Sequence, residues 1–139
     1  MPGRFTLTLI KPTAVEERLE GKIITIILEH GFHIRAWKKM RFTRLQAEAF
    51  YKVHKDKYFF HDLVSYMISG PVYAGILEKE DAVNEFRLLI GATDPGEAAA
   101  GTIRRMFGRS RRKNAIHGSD SDANAEYEMA LLFSDKEWV

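Results

Sequence analysis

The sequence contains no cysteine and only 4 prolines among its 139 residues. Without cysteine, the protein has no disulfide bridge, no thiolate zinc site and no cysteine nucleophile. It also has little excess charge of either sign, since 21 Lys and Arg face 19 Asp and Glu and leave a net charge of +2. That small excess does not by itself indicate a protein that binds nucleic acid.

Long hydrophobic runs are missing as well. The apolar stretch nearest the N-terminus, residues 5–10, is too short for the core of a signal peptide or for a membrane span. We therefore expect a cytoplasmic protein with no membrane partner. The hydrophobic fraction of 45% and the length of 139 residues predict one domain, residues 1–139, that can bury a core.

The spacing of apolar residues predicts the order strand, helix, strand, two helices, strand, helix, long polar loop, strand. The predicted strands cover residues 5–9, 32–42, 72–77 and 125–133, and the helices cover 20–30, 43–53, 60–68 and 83–90. For residues 20–30 a strand remains an alternative, because the segment is rich in β-branched residues. This order predicts an α+β sandwich, with a four-stranded, mostly antiparallel sheet covered by helices on one side.

Local signals refine two of these helices. Thr43 and Gln46 have the spacing of a capping box, and we expect Leu45, Ala49 and Val53 to share one side of the helix that follows. The stripe from residue 60 to 68 is the most regular in the sequence, and it places Phe60 in the core. Val72 to Leu77 is almost continuously apolar, which is typical of a central strand.

Residues 92–122 form a polar segment with one short helix predicted from Thr102. A loop of that length is usually functional, so we look for the chemistry there. Its basic cluster, Arg109–Lys113, suits phosphates, nucleic acid or an acidic partner; a solvated basic surface is the alternative. No P-loop and no G-x-G-x-x-G motif occurs, so neither of these would hold a phosphate.

His117 is the candidate functional histidine in this segment. It stands beside Gly118, which permits unusual backbone angles and close approach of a ligand. The alternative is a hydrogen-bonded turn residue. The other histidines have no carboxylate at zinc-site spacing, so we expect no metal cage and interpret them as structural or surface residues: His30, His33, His54 and His61.

The run Asn114-x-x-His117-Gly118-Ser119-Asp120 resembles the active-site motif of the nucleoside diphosphate kinase family, in its short, bacterial-type form. Other positions are similar to the family in the same order: Leu9-Ile10-Lys11-Pro12, Tyr51, Phe59-Phe60, Leu63, Ser69-Gly70-Pro71, Arg87, Gly91-x-Thr93, Gly101-Thr102-Ile103-Arg104 and Glu128. The resemblance implies a ferredoxin-like α/β sandwich, which agrees with the predicted order of elements.

It also implies transfer of the γ-phosphoryl group from a nucleoside triphosphate, typically ATP, to a nucleoside diphosphate by a ping-pong mechanism. A phosphohistidine at His117 would carry the group between two half-reactions. At neutral pH a free imidazole is mostly unprotonated, so it can act as a nucleophile once its other nitrogen is oriented. By resemblance, Glu128 orients it.

The family's site residues carry over one by one. The resemblance assigns catalysis to His117, Lys11, Tyr51 and Glu128. It assigns nucleotide binding to Lys11, Phe59, Leu63, Arg87, Thr93, Arg104 and Asn114. Among these, Arg87, Thr93 and Arg104 would contact the α- and β-phosphates, Lys11 the transferring phosphoryl group and the sugar, Asn114 the ribose, and Phe59 the face of any base.

The resemblance further implies Mg²⁺, which keeps much of its water and bridges substrate phosphates. No direct protein ligand is expected, and Asp120 would reach the ion through water. The implied partners are nucleoside di- and triphosphates and further copies of the chain, as a tetramer or hexamer built from dimers. Nucleic acid is not an expected partner.

Four short segments depart from the family's usual pattern: Lys57-Tyr58, Ala100, Arg105-Met106 and Arg111-Arg112-Lys113. The missing glycine at position 112 suggests a changed backbone angle near the base, and the added charge suggests stronger binding of polyanions. The alternative function is therefore a nucleic-acid-binding or regulatory relative that uses Arg109–Lys113. The intact Lys11, Asn114, His117 and Glu128 favour an active kinase.

Overall fold

The computed structural model describes residues 3–139; Met1 and Pro2, where the N-terminal segment begins, lie outside the described residues. Its sheet has 4 strands in the order β2-β3-β1-β4, and every neighbouring pair is antiparallel. The strands are β1 (Phe5–Ile10), β2 (His33–Met40), β3 (Val72–Glu78) and β4 (Ile116–Gly118). The predicted four-stranded antiparallel sandwich is thus confirmed, and β3 is central as its apolar run indicates.

Seven α-helices and two short 3-10 helices accompany the described strands. The α-helices are α1 (Pro12–Glu16), α2 (Glu20–Glu29), α3 (Arg44–Phe50), α4 (Phe60–Met67), α5 (Ala82–Ile90), α6 (Ile103–Phe107) and α7 (Asp122–Leu132), and the 3-10 helices are Lys52–His54 and Asp135–Glu137. The segment with the strand alternative, α2, is a helix. The capping box is also confirmed, because Gln46 N donates to Thr43 Oγ1 at 3.1 Å and Thr43 N donates to Gln46 Oε1 at 2.9 Å.

Helices cover both faces of the sheet, so the expectation of one covered face is wrong. Leu7 and Leu9 of β1 pack into a core with α3, α4 and α7, whereas Ile10 packs into a second core with α1, α2, α5 and α6. Thr6 and Thr8, between the leucines, are both 0% exposed. Thr8 Oγ1 donates to the carbonyl of His117 at 2.8 Å, whereas Thr6 Oγ1 is buried without a partner among the described residues.

The predicted last strand, residues 125–133, is instead the helix α7. The alternation of Met129, Leu131 and Phe133 suggested a strand, but the residues that α7 buries are Ala125, Glu128, Met129 and Leu132, which follow helical spacing. Ser121 caps the helix by accepting from Asn124 N at 3.1 Å. The fourth strand, β4, lies inside the predicted loop and has only 3 residues, too few for a periodic signal.

The predicted apolar side of α3 is also wrong. Leu45 is 79% exposed and Val53 is 63% exposed, whereas Ala47 and Phe50 are buried. The helix buries the ring of Phe50 and leaves Leu45 exposed, because an aromatic ring buries more apolar area than a leucine side chain. Phe60 is buried in the core as predicted.

Gly118 does not adopt a left-handed backbone angle, contrary to the interpretation of its role. A Cβ at this position would lie 2.8 Å from Phe86 Cδ2 and 3.0 Å from Ile90 Cδ1, both on α5. Glycine is required here because α5 approaches β4 closely, and that approach holds the strand that carries His117.

We therefore expect Gly118→Ala to lower the free energy of unfolding by about 1–3 kcal/mol, because an added methyl group in a packed core forces its neighbours apart. Urea denaturation measures the change. The matched control is Gly21→Ala in α2, where an added Cβ meets nothing within 4 Å. Since alanine favours a helix, the control should be unchanged or slightly more stable; equal loss in both variants would contradict the close-approach explanation.

Candidate active site

The pairing of β1 with β4 brings together Lys11 and His117, two predicted site residues from opposite ends of the sequence. His117 of β4 is the register partner of Leu9 in β1. Lys11 follows the end of β1, and its backbone N donates to the carbonyl of Ala115 at 2.9 Å. Lys11 and His117, more than a hundred positions apart in sequence, are therefore brought to neighbouring positions by the pairing of β1 with β4.

A hydrogen bond holds one of the two nitrogens of the His117 imidazole. Its Nε2 lies 2.9 Å from Glu128 Oε1, and Ser119 Oγ donates to the same oxygen at 2.7 Å. A carboxylate only accepts, so Nε2 carries the proton and Nδ1 keeps its lone pair. Within residues 3–139, Nδ1 has no hydrogen-bond partner. It is also absent from the buried polar atoms without a partner, so it is accessible from outside. Nδ1 is therefore the imidazole nitrogen that is free to contact a ligand in the cleft.

Aromatic rings pack around this imidazole. The ring of Phe50 lies 5.1 Å from that of His117, edge to face, and the ring of Tyr51 lies 6.4 Å away. The hydroxyl of Tyr51 is buried and has no partner within the described residues. Burial, followed by the charge of Glu128, raises the pKa of Tyr51, so the phenol stays protonated and can donate to a ligand.

Arg104 is held in place by backbone carbonyls. Its Nε and Nη2 donate to the carbonyl of Ile116 at 3.2 and 2.9 Å, and its Nη1 donates to the carbonyl of Gly91 at 3.0 Å. Burial and the neighbouring Arg87 lower the pKa of Arg104 to about 10, which still leaves it charged at neutral pH. Because a guanidinium has five N–H donors, Arg104 keeps two of them for an anion.

Lys11 is a buried cation without a carboxylate partner in the described chain. Its side chain is 7% exposed, and its Nζ donates only to the carbonyl of Arg112, at 3.4 Å. Burial is the largest cause that lowers its pKa to about 7, and the charges of Arg104 and Arg112 lower it further. A negative ligand beside Lys11 would restore its proton.

Asn114 contributes a second unsatisfied polar atom. The residue is 1% exposed, and its Nδ2 donates to the carbonyl of Thr93 at 3.0 Å. Its Oδ1 is buried and, like the hydroxyl of Tyr51, has no partner in the described chain. Because buried polar atoms are normally hydrogen-bonded, one free donor and one free acceptor in a cleft indicate a polar ligand.

These side chains line two adjoining cavities that share His117, Tyr51, His54, Thr93 and Arg104. The first, which we call the Arg87 cavity, measures about 340 Å³ and also contains Asp120, Asn124 and Glu128. The second, the Phe59 cavity, measures about 380 Å³ and also contains Lys11, Tyr58, Leu63, Arg111, Arg112 and Asn114. Every site residue predicted from the sequence lines one cavity or both.

The family model described as nucleoside diphosphate kinase matches this chain over residues 4–138. The chain belongs to the nucleoside diphosphate kinase family. Curated relatives agree: the nucleoside diphosphate kinase of Pasteurella multocida is 52% identical over 132 residues, with 95% of each chain covered. The one from Geobacter sp. (strain M21) is 48% identical over 134 residues, covering 96% of this chain and 98% of the relative.

Solved structures of nucleoside diphosphate kinases show the same fold. The Aquifex aeolicus protein superimposes with a TM-score of 0.96 at 46% identity, covering 98% of this chain and 99% of that one. The Halobacterium salinarum protein, in complex with CDP, gives a TM-score of 0.95 at 41% identity, covering 99% and 91%. The predicted ferredoxin-like fold is confirmed. None of the helices in the described chain is long and apolar enough to span a membrane.

Sequence reasoning gave no individual role to two residues, His54 in the cleft and Ser119 behind it. His54, interpreted as a structural or surface residue, lines both cavities, and its ring lies 5.6 Å from that of Phe59. It lies at the end of the short 3-10 helix Lys52–His54, where no spacing signal marks it. Ser119 is 0% exposed and reaches the carboxylate that holds His117, a contact that depends on the position of α7.

A left-handed backbone angle on a residue with a Cβ occurs in the loop three residues after Arg112. Arg112 has no left-handed angle, whereas Ala115 has φ 78°. For a residue with a Cβ this conformation costs about 1 kcal/mol. It directs the carbonyl of Ala115 to Lys11 N, which joins the loop to the end of β1 immediately before His117.

Proposed function

We propose that this chain transfers the γ-phosphoryl group of a nucleoside triphosphate, typically ATP, to a nucleoside diphosphate through a phosphohistidine at His117. The observation that carries the proposal is the imidazole itself. Glu128 holds Nε2 at 2.9 Å, while Nδ1 faces a cleft that contains several cations. In the first half-reaction the lone pair of Nδ1 forms a bond to the γ-phosphorus, and the bond to the leaving diphosphate oxygen breaks. The second half-reaction reverses these bond changes with a different diphosphate.

The cations of the cleft account for the positioning that phosphoryl transfer requires. We assign the α- and β-phosphates to Arg87, Thr93 and the two remaining N–H donors of Arg104. Lys11 then contacts the transferring group, and its protonated form neutralises the developing charge. Since carbonyls of Gly91 and Ile116 already hold Arg104, its donors are oriented before the nucleotide arrives.

The unsatisfied atoms account for the sugar and the base. The free Oδ1 of Asn114 is placed to accept from a ribose hydroxyl, and the hydroxyl of Tyr51 is placed to donate beside His117. Phe59 and Leu63 line the Phe59 cavity and present apolar surface to a base. Stacking on Phe59 tolerates every base, because each offers a π-face.

Mg²⁺ fits this site as an ion carried by the substrate. No group of three or more His, Asp or Glu side chains in residues 3–139 is arranged to hold a metal. Asp120 is exposed, lines the Arg87 cavity, and its carboxylate accepts from Asn124. We assign Asp120 to a water-mediated contact with the ion, which neutralises phosphate charge when bound.

Labelling with γ-³²P-ATP and Mg²⁺ tests the proposed function. We expect one acid-labile, alkali-stable phosphoryl group per chain, since a phosphoramidate has this stability and a serine phosphate ester does not. Added nucleoside diphosphate should remove the label and become a triphosphate. Absence of the label, or label that no diphosphate can remove, would contradict the proposal.

Glu128 should set the rate through the orientation of His117. We expect Glu128→Ala to lower kcat by about 10²-fold, because the imidazole loses its fixed tautomer and position. Glu128→Gln keeps an oxygen that accepts from Nε2 but loses the charge, so its kcat should fall less. The check is a kcat and KM comparison of both variants. An effect confined to KM would assign Glu128 to substrate binding instead.

Arg111 and Arg112 should contribute to nucleotide affinity. Replacing both with alanine should raise the nucleotide KM by about 3- to 10-fold and flatten its dependence on salt, since screening acts on charge attraction. Steady-state kinetics between low and physiological ionic strength measure both quantities. If neither changes, the cluster is plain solvated surface.

The remaining proposals concern partners and organisation. A nucleic-acid-binding function has less support, because Arg111 and Arg112 line the cleft and Arg109 is paired with Glu17 at 2.6 Å. By family membership we propose a homo-oligomer built from dimers, tetramer or hexamer, which light scattering would determine. We further propose one domain over residues 1–139 that acts on nucleotides in the cytoplasm.

A further inference from the structure

Two arginines line the Phe59 cavity without a partner of their own. In the described chain, the guanidinium groups of Arg111 and Arg112 make neither a hydrogen bond nor an ion pair; only the backbone carbonyl of Arg112 is used, by Lys11 at 3.4 Å. The neighbouring Arg109 differs, because Glu17 holds it at 2.6 Å. The N–H donors of Arg111 and Arg112 are therefore available to a ligand in the cavity.

The surroundings of these donors limit what they can recognise. No Asp or Glu of residues 3–139 lines the Phe59 cavity, and Tyr58, Phe59 and Leu63 form its aromatic and apolar wall. A base stacked on that wall presents its edge to the side chains around it. Arginine donates and never accepts, so it satisfies an edge with acceptors and leaves an amino group unpaired.

We propose that Arg111 and Arg112 make this enzyme selective for nucleotides with a keto base, guanine above all, over nucleotides with an amino group at the same position. The inference rests on the proposed function, which places the base in the Phe59 cavity. Guanine presents adjacent N7 and O6 acceptors that match the fork of a guanidinium, whereas adenine carries an amino group in place of O6.

The same two arginines could instead act through charge alone. Charge would strengthen the binding of all diphosphates equally and leave the ratio between bases at one. The ratio between bases separates the two effects, because charge alone gives a ratio of one. Substitution by lysine then tests the planar fork, since lysine keeps the charge and its N–H donors but loses that geometry. Lys113 supplies a matched control, since it is exposed, belongs to the same loop and does not line the cavity.

The experiment is isothermal titration of the unphosphorylated protein with GDP, IDP and ADP. IDP keeps O6 and N7 but lacks the 2-amino group of GDP, so it reports on the edge that the arginines contact. We expect GDP and IDP to bind about 10-fold more tightly than ADP. The ratio should fall to near one in the Arg111→Ala, Arg112→Ala double variant, fall to an intermediate value in the corresponding double lysine variant, and persist in Lys113→Ala.

Three results would overturn the inference: equal affinities in the wild type, a ratio that survives in both double variants, or IDP that binds like ADP. A ratio that is lost in the alanine variant and kept in full in the lysine variant would show that single N–H donors are sufficient, and it would overturn the two-pronged guanidinium contact. The phosphoenzyme assay on the same proteins keeps the two proposals apart. Wild-type protein that takes no label refutes the proposed function, whereas labelled protein without base selectivity refutes only this inference.

Discussion

His117→Ala should abolish phosphoenzyme formation and lower phosphoryl transfer by about 10⁵-fold or more, because it removes the group that forms the covalent bond. Nδ1 of His117 is the nitrogen that faces the cleft with its lone pair, while Glu128 occupies Nε2 at 2.9 Å. Rapid-quench labelling with γ-³²P-ATP measures the loss directly. Nucleotide binding should survive, since the cations and Asn114 remain in place.

Two controls decide whether the loss belongs to this nitrogen. His54→Ala removes the other imidazole of the cleft and should still take up one label per chain. Ser119→Ala removes a hydroxyl that is 0% exposed and should retain acid-labile label. Stoichiometric labelling of His117→Ala, or loss of labelling in His54→Ala alone, would identify a different nucleophile.

Lys11→Met should raise the free energy of unfolding at neutral pH while it removes most activity. Lys11 is 7% exposed, and its pKa falls from 10.5 to about 7 on folding. A fall of this size corresponds to a cost of about 5 kcal/mol for keeping the buried group charged. Methionine has a similar length and no charge, so this cost disappears. Urea denaturation of wild type and variant measures the gain.

The effect of Lys11 on the free energy of unfolding should change with pH in a definite direction. Between pH 7 and 10.5 the unfolded chain binds a proton at Lys11 that the folded chain does not, so the stability of the wild type rises with pH across this window. The advantage of Lys11→Met is therefore largest at pH 7 and below, and it vanishes as the pH approaches 10.5. Nucleotide phosphates should restore the proton, so binding above pH 7 takes up about one proton.

The matched control for Lys11 is Lys22→Met, at an exposed position of α2. It should change stability by less than about 0.5 kcal/mol and show no added pH dependence. An advantage of Lys11→Met that is absent at pH 7, or constant up to pH 10, would refute the buried-charge explanation. Calorimetry in buffers of different ionisation enthalpy tests the proton uptake on nucleotide binding.

Long periodic segments and local caps were predictable from the sequence. The stripe of α4, the capping box at Thr43 and the apolar run of β3 each depend on residues close together in the chain, so neighbouring side chains determine them. The linear motif around His117 likewise identified the family, because its residue types stand at set positions. This local information was enough for the family and for the fold class.

Short elements and long-range contacts depended on the tertiary structure. β4 has 3 residues and exists only because β1 offers it backbone partners, and α7 is a helix whose apolar residues also alternate like a strand. His54 enters the cleft, and Ser119 reaches Glu128, only after these elements pack together. The sequence alone thus determined which functional side chains the protein contains. The packing of α7 decided which nitrogen of His117 is free, because the acceptor for the other nitrogen is Glu128 on that helix.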